Sequence, residues 1–258
     1  MAGPPVILGY HGVAEVDPRY DPVRLYVSPD KLGRHIRSLK RRGYRFLSMR
    51  DFAAELGPEG PPKGICALTF DDGTVDHATV LPELLAEHEV PGTVFVCPEL
   101  LGEPYPWVDA AAGARFMTRP EFDAMAASEW IEVGAHTNRH TEVNAADFDT
   151  ALGLMSECKD LLEGWIGEPV PSFCYPRCHY SEASPAAARA AGFASAVTCG
   201  PRGDWTPFEL KRESLHTPDG PVTWAFKSRG LYYGTRDRAP FRLARSLTRG
   251  FRHRRERG

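Results

Sequence analysis

Apolar residues along this chain recur in two alternating rhythms. Short β-branched or apolar runs at 6–10, 44–47, 65–70, 92–96, 131–134, 172–175 and 195–198 read as strands. Between them, apolar positions return at helical spacing over 29–42, 50–56, 80–88, 119–127, 185–191 and 222–231. In the first of these, Leu32, Ile36 and Leu39 fall on one face. Asn144 can cap a longer helix that carries Phe148, Leu152, Met155, Leu162 and Trp165 in phase. Strand and helix alternating from end to end is the pattern of parallel strands joined by crossover helices. About seven strands in one such series predict an α/β fold, a distorted or incomplete (β/α) barrel. A Gly/Pro-rich stretch at 57–64 and an irregular insert at 104–113 interrupt the series without marking a domain boundary. The expected organisation is one domain over 1–235 and a tail over 236–258.

Composition narrows the class. With 258 residues, 42% of them hydrophobic and 25% charged, the chain is long enough to bury a full core and too mixed to be disordered or collagenous. A net charge of -3 argues against a dedicated nucleic-acid binder. That sum hides an asymmetry: residues 236–258 carry nine Arg against Asp237 and Glu256, a balance of +7, which leaves -10 on residues 1–235. Within 241–251, Leu243, Ala244, Leu247 and Phe251 fall on one side of a helix, with Arg242, Arg245 and Arg249 mainly on the other. Such a basic amphipathic segment can rest on an anionic membrane surface, the bland alternative being a frayed, solvated tail. No apolar run is long enough to span a bilayer, and the first residues lack the basic flank and apolar core of a secretory signal. The expected location is therefore cytoplasmic, with peripheral contact at the inner membrane face, and the six cysteines are expected to be reduced thiols.

In a β/α barrel the chemistry sits at the C-terminal ends of the strands, which makes strand ends a filter for candidate residues. Four places pass it: Tyr10-His11, Asp71-Asp72-Gly73, the run from His136 to His140, and Tyr175-Pro176-Arg177. Adjacent carboxylates diverge at a strand end, so Asp71 and Asp72 cannot straddle a glycosidic bond as a glycosidase pair does. They suit two separate jobs, one holding a cation and the other taking a proton from water; alone, the pair would read as a helix cap with a solvated neighbour. His136 and His140 can meet one metal if their segment forms a helical turn. Joined to Asp72 they make a two-His, one-carboxylate set with open positions, suited to catalytic Zn²⁺. The same ligand types hold Fe(II) in oxygenases, but those expect a jelly-roll of strands. Cys174, Cys178 and His179 lack the second close pair that a structural zinc site would need.

Thr69-Phe70-Asp71-Asp72-Gly73, then His136-Thr137-Asn138-Arg139-His140, then Phe173-Cys174-Tyr175-Pro176 resemble, in order, the motifs of the carbohydrate esterase family 4 polysaccharide deacetylases. The resemblance spans about residues 6–233. It implies hydrolysis of N-acetyl groups on an acetylated amino sugar or glycan, lipid- or nucleotide-linked ones included. It also implies a divalent metal, Zn²⁺ first, with Co²⁺, Ni²⁺ and Fe²⁺ as alternatives. Carried over by residue, Asp71 is the general base and Asp72, His136 and His140 the metal ligands. Leu8-Gly9-Tyr10-His11 resembles the poly-N-acetylglucosamine deacetylase subgroup, whose acid histidine follows the first strand as if the barrel were circularly permuted. That makes His11 the general acid, with His216 the alternative. Pro176 and Arg177 stand where the oxyanion is received, through the backbone N–H of Arg177.

Two departures accompany the match. Cys174 replaces an Arg that orients the base, and Arg177-Cys178 replaces an aromatic-Gly pair, which puts a cation where it can favour an anionic substrate. Trp205 is the only candidate for a later Trp-bearing motif, a buried structural Trp being the plainer explanation. Besides the glycan deacetylase, two other functions fit these residues. One is hydrolysis of a small cytoplasmic non-sugar amide. The other is a catalytically silent metal- or sugar-binding module.

Overall fold

The structure, a computed structural model, describes residues 3–200 and 204–235. In chain order the elements are β1 (Val6–Tyr10), α1 (Pro29–Arg41), β2 (Arg45–Leu47), α2 (Met49–Ala54), β3 (Ile65–Phe70), α3 (Asp76–Thr79), α4 (Leu81–Glu87) and β4 (Gly92–Val96). There follow α5 (Arg119–Ala126), β5 (Ile131–Ala135), α6 (Phe148–Ile166), β6 (Ser172–Cys174), α7 (Ser184–Ala190), β7 (Ser195–Cys199), β8 (Leu210–Ser214), α8 (Pro221–Lys227) and α9 (Tyr232–Thr235). The strand pairs are parallel and run in the order β1-β8-β7-β6-β5-β4-β3, and a β1–β3 pairing closes the ring. The barrel is thus a closed one of seven parallel strands.

Its seven strands are not the seven read from the pattern. β2 pairs only with the first half of β3, from Arg45↔Ile65 to Leu47↔Ala67, and β4 takes over that edge at Thr69↔Thr93. The missing strand is β8, Leu-Lys-Arg-Glu-Ser, which has one apolar residue and so shows neither alternation nor a buried run. It is buried nevertheless, because its inward position Arg212 meets a carboxylate inside the barrel.

Side chains alternate across each strand, and that alternation divides the core in two. Ile7, Ile65, Ala67, Phe95, Cys174, Val197 and Leu210 form a small cluster inside the ring. Val6, Leu8, Cys66, Leu68, Phe70 and Val94 face outward into a larger one under the helices, with Leu32, Ile36, Leu85, Phe122, Met155 and Leu162. On β3 the inward set Ile65, Ala67, Thr69 continues to Asp71, which therefore enters the barrel mouth.

Local signals set most boundaries. The Ser28 hydroxyl accepts from the Lys31 N–H to start α1. The long helix α6 starts later than expected: Asp147, not Asn144, caps it by accepting from the Thr150 N–H at 2.9 Å. Trp205 packs beside Phe52 on the small inner cluster and takes no part in the site described below. The expectation of six reduced thiols is corrected. Cys178 and Cys199 form a disulfide, while Cys66, Cys97, Cys158 and Cys174 are free and buried. Sequence could not show this, because residues 178 and 199 meet only when the loop after β6 folds over the end of β7. No helix among the described residues is long and apolar enough to cross a membrane. The tail at 236–258, with the membrane contact expected of it, lies outside the described residues.

Candidate active site and metal centre

Five loops at the C-terminal ends of the strands converge on a cavity of about 210 Å³. His11, Asp71, Asp72, His136, His140 and Arg177 all line it, and Val23, Leu25 and Trp107 add an apolar wall. The backbone around it is bent into unusual conformations. Among the described residues, five of the seven non-glycine positions with positive φ are Asp72, Thr137, His140, Arg177 and Cys178, all on these loops. Left-handed backbone at such residues costs energy and persists where surrounding contacts impose it.

Asp71 and Asp72 turn to opposite walls, as adjacent residues at a strand end must. Arg212 grips Asp71 with both arms, Nη1 to Oδ1 at 2.7 Å and Nη2 to Oδ2 at 2.8 Å, and both side chains are buried. The guanidinium also donates to Thr69 Oγ1 at 3.0 Å and lies 3.0 Å from Cys174 Sγ. Burial by itself would raise the Asp71 pKa, but the Arg212 charge and hydrogen bonds outweigh it and hold the carboxyl below the usual carboxylate range. An arginine thus reaches Asp71 from β8 although none stands at 174, and the small Cys174 leaves room for it. Sequence reasoning missed Arg212 because nothing near it in the chain marks it.

Asp72 faces the histidines. Its Oδ1 lies 3.4 Å from His136 Nε2 and 3.6 Å from His140 Nε2, with no hydrogen-bond partner of its own. One ligand atom from each of the three residues lies within 4.8 Å of the others. His136 donates from Nδ1 to the Cys174 carbonyl at 2.7 Å, which orients the ring with Nε2 toward Asp72. Burial and the neighbouring His136 push the His140 pKa down to about 4, so its imidazole is neutral near pH 7. An orphaned buried carboxylate oxygen beside two imidazole nitrogens fits a divalent metal. The His136–His140 segment is a tight turn with Thr137 and His140 left-handed, not the helical turn that the spacing suggested.

Asp71, His136 and Cys174 make a second set of potential ligands. Arg212 already stands there as the cation, bonded to Asp71 and against Cys174, and His136 Nδ1 is committed to a carbonyl. That set does not suit a metal. Cys178 is bound in the disulfide and His179 Nδ1 lies 3.0 Å from Glu142, so the Cys174, Cys178, His179 grouping offers no zinc site either.

His11 reaches the cavity with Nδ1 buried and without a hydrogen-bond partner. Its segment is clamped from the start of α3: His77 Nε2 meets the His11 carbonyl at 2.8 Å, and the Val13 N–H donates to Asp76 at 2.5 Å. His216 does not line the cavity. Lys31 ties its loop back by donating to the His216 and Thr217 carbonyls. Pro176 is buried at the head of the turn Pro176–Cys178, and Cys178 of that turn is tied by the disulfide to the end of β7. Arg177 points its half-exposed side chain to Glu142, Nε to Oε1 at 3.0 Å, so much of its charge is matched within the protein.

The insert between β4 and α5 holds two residues that the sequence did not single out. Tyr105 donates from its hydroxyl to Asp72 Oδ2 at 2.5 Å, and the Trp107 ring sits 4.8 Å from that of His140. A Tyr-Pro-Trp step in an otherwise Ala- and Gly-rich insert was the signal available. A larger cavity of about 310 Å³ opens near the start of β5, where Glu132 accepts from the Arg50 N–H and the Ser172 hydroxyl. That carboxylate is satisfied and no histidine accompanies it, so the smaller cavity is the chemical one.

A two-His, one-Asp cluster beside a separately held carboxylate, at the mouth of a β/α barrel, marks the class of metal-dependent hydrolases. The polysaccharide deacetylase family model matches residues 59–196, more than half of the chain, and the chain belongs to that family. The family's enzymes are metal-dependent de-N-acetylases. A putative polysaccharide deacetylase of Bacillus subtilis (strain 168), YxkH, is 24% identical over 196 residues, 76% of this chain and 64% of that protein. The chain therefore spans slightly less than two thirds of that relative's length. Among solved structures, the Streptococcus pyogenes deacetylase PplD in complex with acetate superposes with a TM-score of 0.73 at 22% identity, covering 88% of this chain and 99% of that one. IcaB from Ammonifex degensii gives 0.71 at 20%, covering 89% and 98%. At those identities the likeness speaks for the fold. The family match contains Asp71, Asp72, His136, His140, Pro176 and Arg177 but stops short of His11 and Arg212 at either end.

Proposed function

We propose that this chain is a metal-dependent hydrolase that removes N-acetyl groups from an amino sugar or glycan, lipid- or nucleotide-linked ones included. The observation that carries the reading is the division of labour between neighbours. Asp71 is kept ionised by Arg212, while Asp72 Oδ1 faces two imidazoles without a hydrogen-bond partner. Asp72, His136 and His140 would hold the metal. Two imidazoles and one carboxylate suit Zn²⁺, and Co²⁺, Ni²⁺ or Fe²⁺ compete for the same donors. A divalent metal bound there supplies Lewis acidity, polarising the acetamide carbonyl and acidifying the attacking water.

The chain's own residues do the rest. Asp71 takes a proton from water as the oxygen attacks the carbonyl carbon, and the Arg177 N–H donates to the oxygen that gains charge. His11 gives a proton to the nitrogen as the carbon–nitrogen bond breaks, so that an amine and not an amide anion departs. Val23, Leu25 and Trp107 offer an apolar wall to the acetyl group or sugar ring. The test is acetate release by the Zn²⁺-loaded chain from N-acetylglucosamine, its oligomers, nucleotide-linked N-acetylglucosamine and a simple acetanilide. Acetate from a sugar substrate supports the reading. Release from the anilide alone favours a small-amide hydrolase, and sugar binding without any release favours a silent binding module.

For location, the sequence favours the cytoplasmic side, with 236–258 resting on anionic membrane. A second reading is favoured by the Cys178–Cys199 disulfide, since such bonds persist in oxidising compartments. Alkylation of the protein directly in lysed cells tests the second: four reactive thiols after denaturation support it, and six would contradict it.

A further inference from the structure

We infer that Tyr105 is a positioning residue for the metal centre, setting which oxygen of Asp72 is offered to the ion; this rests on the metal-site reading above. The phenol hydroxyl donates to Oδ2 at 2.5 Å, while Oδ1 of the same carboxylate stays without a hydrogen-bond partner and faces His136 and His140. One oxygen is thus tied and the other left as the donor, before any ligand arrives. Groups that hydrogen-bond metal ligands in this way orient them and raise affinity.

Tyr105 is placed to do this rigidly. It is 2% exposed, and its ring packs edge-on against Phe116 at 5.3 Å, Trp107 at 5.0 Å and Tyr26 at 6.3 Å. Through Trp107, two residues on, the same insert also packs on His140. The insert therefore touches two of the three residues of the triad, although β3 and β5 carry those residues. A hydrogen bond to a buried carboxylate could also serve stability alone, so the test must read the metal.

Tyr105→Phe keeps the ring and removes the hydroxyl. Zn²⁺ affinity of the full chain is measured by competition with a chromophoric chelator, and the Co²⁺ complex by its visible absorption. The expected result is Zn²⁺ binding weakened about 10- to 100-fold, with an altered Co²⁺ spectrum. Tyr26→Phe, which removes the neighbouring phenol of the cluster, is expected to stay within about twofold on the same scale. Asp72→Asn is run alongside. If it binds Zn²⁺ as the unaltered chain does, the metal-site reading falls and takes this inference with it. If Asp72→Asn loses Zn²⁺ while Tyr105→Phe binds normally, or if Tyr26→Phe weakens binding equally, the inference alone is overturned.

Discussion

Asp71 and Asp72 are neighbours in sequence, both buried, yet they belong to opposite walls of the barrel mouth. The wall behind Asp71 is built from β6 and β8 and presents a cation, Arg212, in a bidentate grip. The wall before Asp72 is built from the β5 loop and the insert after β4, and presents imidazole nitrogens and a phenol. One carboxylate has its charge balanced inside the protein and stays ionised, which fits the proposed role of proton acceptor. The other has one oxygen tied and one unmatched, which is the state of a ligand awaiting an ion. Residue type is the same in both; partners decide the role.

Substitutions on the two walls should therefore fail differently. Asp71→Asn is expected to lower turnover by about 10²- to 10⁴-fold while leaving Zn²⁺ affinity intact by chelator competition; parallel loss of the metal would merge the two roles. Arg212→Met breaks a buried pair from one side and is expected to cost about 3–5 kcal/mol of stability by denaturant titration. It should also change the pH profile. With Arg212 present the folded Asp71 pKa lies below its unfolded value, so the pair's stabilisation is full above the ordinary carboxylate range and fades as pH falls through the lowered value. Without Arg212, burial is opposed only by His136 and His11, so that pKa should rise and the acid limb of kcat/KM should move upward. An unmoved limb would mean that Asp71 is not the base.

Smaller effects are expected away from the two carboxylates. His11→Ala should retain the metal and lose about 10²-fold or more in turnover, whereas His216→Ala, outside the cavity, should lose less than about tenfold. The reverse order would transfer the acid role to His216. Arg177→Ala removes a half-exposed pair with Glu142 and should change stability by about 0–1 kcal/mol, with turnover largely kept because the oxyanion contact is a backbone one. A large loss on phosphorylated sugars alone would show instead that the guanidinium reads an anion.

Strand ends followed by polar residues could be read directly from the pattern, and they placed His11, Asp71, Asp72, His136, His140 and Arg177 around one cavity. Period-two alternation shows which residues face the lumen only where those residues are apolar, which is why β8, whose inward residue is Arg212, stayed hidden. Tyr105 was marked only by its Tyr-Pro-Trp step, since an irregular insert has no period to say which side chain turns inward. The Cys178–Cys199 bond and the left-handed turn at 137–140 depend on how loops fold over one another, and spacing along the chain does not encode that. The cation that the sequence lacks at Cys174 comes from another strand, as Arg212.

The metal proposed here belongs to Asp72, His136 and His140 and not to the Asp71, Cys174 side. Crystals soaked in Zn²⁺ and measured at the zinc absorption edge test it most directly. An anomalous peak is expected between those three residues, with Arg212 still bonded to Asp71. A peak between Asp71, His136 and Cys174, or no peak in the cavity at all, would contradict it.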